Sequence, residues 1–120
     1  MSVAMTTDAV IERRKTVTRR KGWLMLKPGD TLTLCRKVQG RKPGEPLERL
    51  AEVEVVNVWR ERLSDLFDTR FDNDSEIEKE GFPDMDPDEF VKRFFVDAQG
   101  MSEHDEVTRI EWRYLDGDDQ

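Results

Sequence analysis

The sequence predicts an α+β domain, and three observations carry that prediction. Runs that mix β-rich apolar and polar residues, TLTLCRKV at 31–38, AEVEVVNVW at 51–59 and VTRIEWRYL at 107–115, read as strands. DPDEF at 86–90 offers Asp86 as N-cap, Pro87 at the first helical position and Glu89 three residues after the cap, which is a helix start. A chain of 120 residues is too short for several crossover units. Helix, strands, helices and a last strand therefore fit a small curved sheet or barrel with helices at one side. One domain over 1–120 is expected, with its core at about 3–115 and a frayed tail at 116–120.

The elements follow in order. Thr6-Thr7-Asp8 before Ala9-Val10-Ile11 predicts a capped helix running to about Arg14, with an acid complementing the first turn. It delivers the chain into RRKTVTRRK, residues 13–21, which holds six cations and two threonines in nine positions. Leu26-Lys27-Pro28-Gly29-Asp30 is a turn, because Pro presets φ and Gly tolerates positive φ. After the strand at 31–38, residues 39–46 hold two Gly and two Pro and form a loop. The strand at 51–59 returns antiparallel to the first. RERLSDLF at 60–67 predicts a short helix, with Leu63, Leu66 and Phe67 on one side. The acidic run 72–80 is a surface helix or irregular segment ended by Gly81. Phe90, Val91, Phe94 and Phe95 share a helical face and are assigned to the core. Thr108, Ile110, Trp112 and Tyr114 share one face of the last strand by period-two spacing.

Composition narrows the setting. No stretch approaches the about 18 apolar residues of a membrane helix, and the start MSVAMTTDAV lacks the basic flank and apolar run of a signal peptide. The single cysteine, Cys35, leaves no intrachain disulfide and fits a reducing, cytoplasmic location. With one Cys and one His (His104) no soft-ligand zinc site is expected. Asp72-Asn73-Asp74-Ser75-Glu76 opens like a calcium loop, but Ile77 stands where the turn needs Gly and Pro83 where a bidentate Glu belongs. No phosphate-loop or dinucleotide glycine pattern occurs, and no cofactor is expected. The net charge of −7 is polarised: residues 1–62 carry 14 Lys and Arg against 8 Asp and Glu, residues 63–120 carry 6 against 19. Such a molecule can dock its basic side on nucleic acid, unless the two halves intermix and pair.

In a strand, both faces of RRKTVTRRK would be largely polar, so one must meet solvent, a partner or the acidic half. Lys15 and Thr18 would point to opposite faces of a strand but can converge across a helix-to-strand junction. An inward Lys15 demands a partner, because an isolated buried ammonium costs several kcal/mol.

Lys15-Thr16-Val17-Thr18-Arg19-Arg20, Leu26-Lys27-Pro28-Gly29-Asp30, AEVEVV, Glu80-Gly81, the helix at 86–95 and VTRIEWRYL, in this order, resemble the ASCH domain, a relative of the RNA-binding PUA fold. The resemblance implies a PUA-like β-barrel with helices closing one end and a cleft for RNA or modified nucleotides beside it. Some small ASCH proteins are amidohydrolases acting on N4-acetylcytidine. Their functional Lys-x-x-Thr and later Glu would fall on Lys15, Thr18 and Glu80. There Lys15, its pKa lowered by burial and by neighbouring arginines, would deprotonate Thr18, and Glu80 would pass a proton to the leaving amine. Other ASCH proteins are ribonucleases.

Three functions follow as expectations. The first is a module binding RNA, single-stranded nucleic acid or a modified nucleoside through Arg13, Arg14, Arg19, Arg20, Lys21, Trp23, Trp59 and Arg60, the arginines sitting at a cleft rim and the tryptophans stacking bases. The second is the amidohydrolase, and the third a protein-interaction module using its acidic face, residues 65–89.

Overall fold

The computed structural model describes residues 1–36 and 42–115. The expected strand end Lys37–Val38, the loop at 39–41 and the tail at 116–120 lie outside the described residues. A short 3-10 turn (Ala4–Thr6) leads into α1 (Thr7–Ile11), followed by β1 (Val17–Arg20), β2 (Thr31–Cys35) and β3 (Arg49–Arg62). A 3-10 turn (Leu63–Phe67), α2 (Asn73–Glu80), α3 (Pro87–Val91) and β4 (Glu106–Tyr114) complete the chain. The domain is α+β, as the strand and helix signals predict. Among the described residues no helix is long and apolar enough to cross a membrane.

The four strands form one antiparallel sheet in the order β1-β4-β3-β2. It is open rather than a closed barrel, because β1 and β2 are its two edges among the described residues. The N-terminal segment lies beside β2, where Val3 donates to the Cys35 carbonyl and Cys35 to that of Met1. Arg20 Nη2 then reaches the Ser2 carbonyl at 2.7 Å, so a side chain spans the gap that a barrel would close with strand pairing. β3 serves two partners, β2 over Arg49–Glu54 and β4 from Val53 to Arg62, and a bulge between Val55 and Asn57 interrupts the ladder with β4. Such a bulge bends the strand.

Several boundaries differ from expectation. The first helix stops at Ile11 because Arg13 takes a left-handed φ of 63°, which turns the chain toward β1. Thr6 makes no capping bond, and Thr7 Oγ1 instead donates back to the Val3 carbonyl. Residues 60–62 are strand, not helix, since Arg60, Glu61 and Arg62 pair with β4; only Leu63–Phe67 turns. The 86–90 signal holds: Asp86 accepts from the Glu89 amide at 2.8 Å with Pro87 in the first turn. Beyond Val91 the helix widens to π geometry over Lys92–Asp97.

Two apolar clusters stabilise the fold. One packs Val10, Leu34, Val53, Val55, Ile110 and Trp112 between α1 and the sheet. The other gathers Leu63, Leu66, Ile77, Phe90, Phe95 and Val107 under the helices. Phe94 corrects the core assignment, being only half-buried while Phe90 and Phe95 are buried. The full cavity penalty therefore moves to Phe90. Phe90→Ala should cost about 3–5 kcal/mol, read as a lowered denaturation midpoint at unchanged m-value, with Phe94→Ala costing distinctly less.

Candidate active site

Buried polar residues occupy the space between the two clusters. β4 passes from Val107 in one, through Arg109, to Trp112 in the other. The junction after α1 is pinned there. The Lys15 amide donates to the Ala9 carbonyl, and the Lys15 carbonyl accepts from Trp112 Nε1 at 3.0 Å and from the Tyr114 hydroxyl. Lys15 is thereby turned inward, 3 % exposed.

Its partner comes from the end of α2. Gly81 closes that helix at φ 108°, with its amide on the Glu78 carbonyl and the Phe82 amide on that of Ile77. A Cβ at Gly81 would lie 3.1 Å from Ala9 Cβ and 3.2 Å from Thr6 Cγ2, so glycine permits both the left-handed turn and the approach of α1. The last carbonyls of a helix lack intrahelical partners. That of Glu80 accepts from Lys15 Nζ at 2.7 Å, and Glu80 Oε1 accepts from the same nitrogen at 3.2 Å.

Arg19 is the hub of the cluster. Its Nε, Nη1 and Nη2 donate to Glu61, Glu80 and Glu76 respectively, with the side chain 2 % exposed. Register explains the arrangement. Arg19 and Arg109 are directly opposite across β1 and β4, a like-charge pairing that needs acids between the two. Glu76 supplies them, accepting two bonds from Arg109 and one from Arg19. Burial pushes the Glu76 carboxyl up, but the hydrogen bonds from Arg109 and Arg19 outweigh it and hold the group down to about 2.

Lys15 also shifts down, but here burial is the cause that wins. Desolvation lowers its pKa below the ordinary 10.5 and prevails over the attraction of Glu80, and Arg20 and Arg19 push it down further. Arg19, Arg20 and Arg109 already match Glu61, Glu76 and Glu80 in number, and Lys79 and Glu111 at the edge of the cluster add one charge of each sign. A neutral amine has two N–H bonds and one lone pair. Its two donors match the Glu80 carbonyl and carboxylate, which leaves the lone pair for a proton.

Lys15, Thr18, Arg20 and Glu80 line one cleft of about 340 Å³, walled on the far side by Phe82, Phe90, Phe94 and Phe95. Thr18 Oγ1 accepts from Arg20 Nε at 3.0 Å. Residues distant in sequence thus meet, and the convergence runs through the helix-to-strand junction. Among the described residues no three His, Cys, Asp or Glu side chains are grouped to hold a metal.

The expected nucleic-acid ledge is arranged differently. Arg19 is not at a rim; it is buried among carboxylates. Arg20 points into the cleft. Arg13 lies over the Tyr114 ring at 5.0 Å and donates to the Val10 carbonyl, while Arg14 pairs with Glu12 at the surface. Arg60 contacts Thr108 and Glu106. Trp59 is 46 % exposed but carries Arg109 over its ring at 4.4 Å and donates to Glu61. Lys21 and Trp23 are exposed on the loop after β1. The two charged halves of the sequence interlock, Arg19 with Glu76 and Glu80 and Arg60 with Glu106. Sequence reasoning missed Glu76, Glu61 and Arg109. The spacing of Glu76 and Glu80, four apart on one helix face, was the available signal.

Fold and site together define a small α+β domain whose open antiparallel sheet and helical layer enclose a polar-floored, aromatic-walled cleft. No family model matches the chain, and no curated protein matches it by sequence. Among solved structures it is similar to protein EF3133 from Enterococcus faecalis V583, a DUF984 protein, with a TM-score of 0.62 and 15% sequence identity. The match covers 92% of this chain and 70% of that one, and it establishes a shared fold.

Proposed function

We propose that this chain is an ASCH-type, PUA-like protein that hydrolyses the exocyclic amide of an acylated nucleobase, of the N4-acylcytidine kind. The observation that carries the reading is the buried Lys15, its pKa lowered and both donors directed at Glu80, in one cleft with Thr18. A buried lysine whose pKa is lowered is suited to act as a general base.

In the proposed reaction Lys15 Nζ takes the Thr18 hydroxyl proton as Oγ1 bonds to the acyl carbon. Arg20 Nε, already donating to Oγ1, stabilises the developing alkoxide. The carbonyl π bond opens to an oxyanion. On its collapse the C–N bond breaks, and the proton on Lys15 passes through the Glu80 carboxylate to the leaving nitrogen. The acyl-Thr18 ester is then attacked by water, whose proton goes to Lys15 and on to Thr18 Oγ1, releasing a carboxylic acid.

The ledge residues speak for a small substrate rather than a long RNA, because Arg13, Arg14, Arg19, Arg20 and Arg60 already have intramolecular partners. Incubation with N4-acetylcytidine, followed by chromatography, should yield cytidine and acetate in equal amounts. Salt-dependent RNA binding without any turnover would restore the binding-module reading, and the acidic face at 65–89 would then be tested against basic proteins.

A further inference from the structure

The far wall of the cleft is apolar and specific to one stretch of chain. Phe82 follows the α2 cap, and Phe90, Phe94 and Phe95 come from α3 and its π-helical continuation. The wide π turn places residues five apart above one another. Phe90 and Phe95 accordingly sit with ring centroids 5.6 Å apart, and Gln99 Nε2 folds back on the Phe94 carbonyl at 2.8 Å. Phe94 and Phe82 stack at 4.8 Å, and both remain half-buried where they face the cleft. Val3 and Ala98 extend the same surface.

The opposite side is polar, formed by Lys15, Thr18, Arg20 and Glu80. A substrate must therefore present its amide to the floor and a hydrocarbon body to the wall. The edge of a nucleobase carries donors and acceptors that would go unpaired against phenylalanine rings, at a cost in binding. An acyl group has no such groups beyond its carbonyl.

We infer that the phenylalanine wall is an acyl-group pocket, and that the substrates are amides of bulky, ring-bearing or branched apolar acids rather than of acetic acid. The inference rests on the proposed amide hydrolysis and names its substrate class. Phe94 is the specificity-determining residue, because it is the wall residue that stacks on Phe82 and flanks the buried Phe90 and Phe95.

The test compares N4-benzoylcytidine with N4-acetylcytidine. The wild type should favour the benzoyl compound by at least about tenfold in kcat/KM, the scale on which apolar pockets discriminate. Phe94→Ala should erase most of that ratio, by lowering benzoyl turnover far more than acetyl turnover. Equal or inverted preference in the wild type, or an unchanged ratio in Phe94→Ala, would overturn the pocket. Calorimetric titration of Thr18→Val with the same two compounds separates the pocket from the chemistry. Tighter benzoyl binding that Phe94→Ala weakens supports the pocket even if the wild type hydrolyses neither compound, a result that would sink the hydrolase alone. Equal affinities for the two compounds would remove the pocket.

Discussion

Lys15→Met and Thr18→Val should each lower N4-acylcytidine turnover by about a thousandfold or more, on the scale of removing one member of a concerted nucleophile and base. The double variant should be no worse than the poorer single one, since the two residues act in one step. Binding of the acylated nucleoside should survive in both, because neither change alters the phenylalanine wall that receives its acyl group. Lys15→Met should also stay folded. It replaces the buried amine with an apolar chain of similar length, and Arg19 Nη1 remains on Glu80 Oε2. A Lys15–Glu80 pair that served stability alone would give the opposite pattern, with activity kept and the denaturation midpoint lowered.

Arg19→Met should destabilise the protein by about 3–5 kcal/mol, the cost of leaving buried charges without their partner. Three carboxylates, from Glu61, Glu76 and Glu80, lose a donor at once. Acid unfolding provides a second readout. The Glu76 carboxyl is depressed from 4.5 to about 2 in the fold, so its contribution is present above about pH 4.5 and lost as pH falls toward 2. Arg19→Met should shift acid unfolding to higher pH, because one of the two arginines holding Glu76 down is gone. An Arg19→Met protein as stable as wild type would mean that the cluster is solvated rather than buried. For the same reason Arg19 cannot serve as a fold-neutral probe of phosphate binding, whereas Lys21, exposed on its loop, can.

What was legible in the sequence was local. Alternation located β2, β3 and β4, and Asp86-Pro87 located α3, because those signals depend on neighbours within a few residues. The early end of α1 was hidden, since Arg13 at φ 63° answers to the packing of Lys15 against Trp112 and Tyr114, nearly a hundred positions away. The extension of β3 through Arg62 was hidden likewise, because pairing with β4 overrides the helical pattern of RERLSDLF. Lys15, Thr18 and Glu80 were named through resemblance, and their shared cleft required the fold. The hub role of Arg19 follows from a register, Arg19 opposite Arg109, that no single strand reveals. Phe94 looked like core by helical phase, and only the position of Phe82 after Gly81 gives it a surface toward the cleft.

The pH dependence of kcat/KM for N4-acylcytidine, measured in parallel for wild type and Lys15→Met, bears most directly on the Lys15 base. Because kcat/KM reports groups of the free enzyme, the wild-type rate should rise with pH through a group titrating below the 10.5 of an ordinary lysine. That limb should be absent from Lys15→Met, whose residual rate stays low at every pH. Turnover by Lys15→Met at the wild-type rate with the same profile, or a wild type that binds the nucleoside and never releases the acid, would contradict the account.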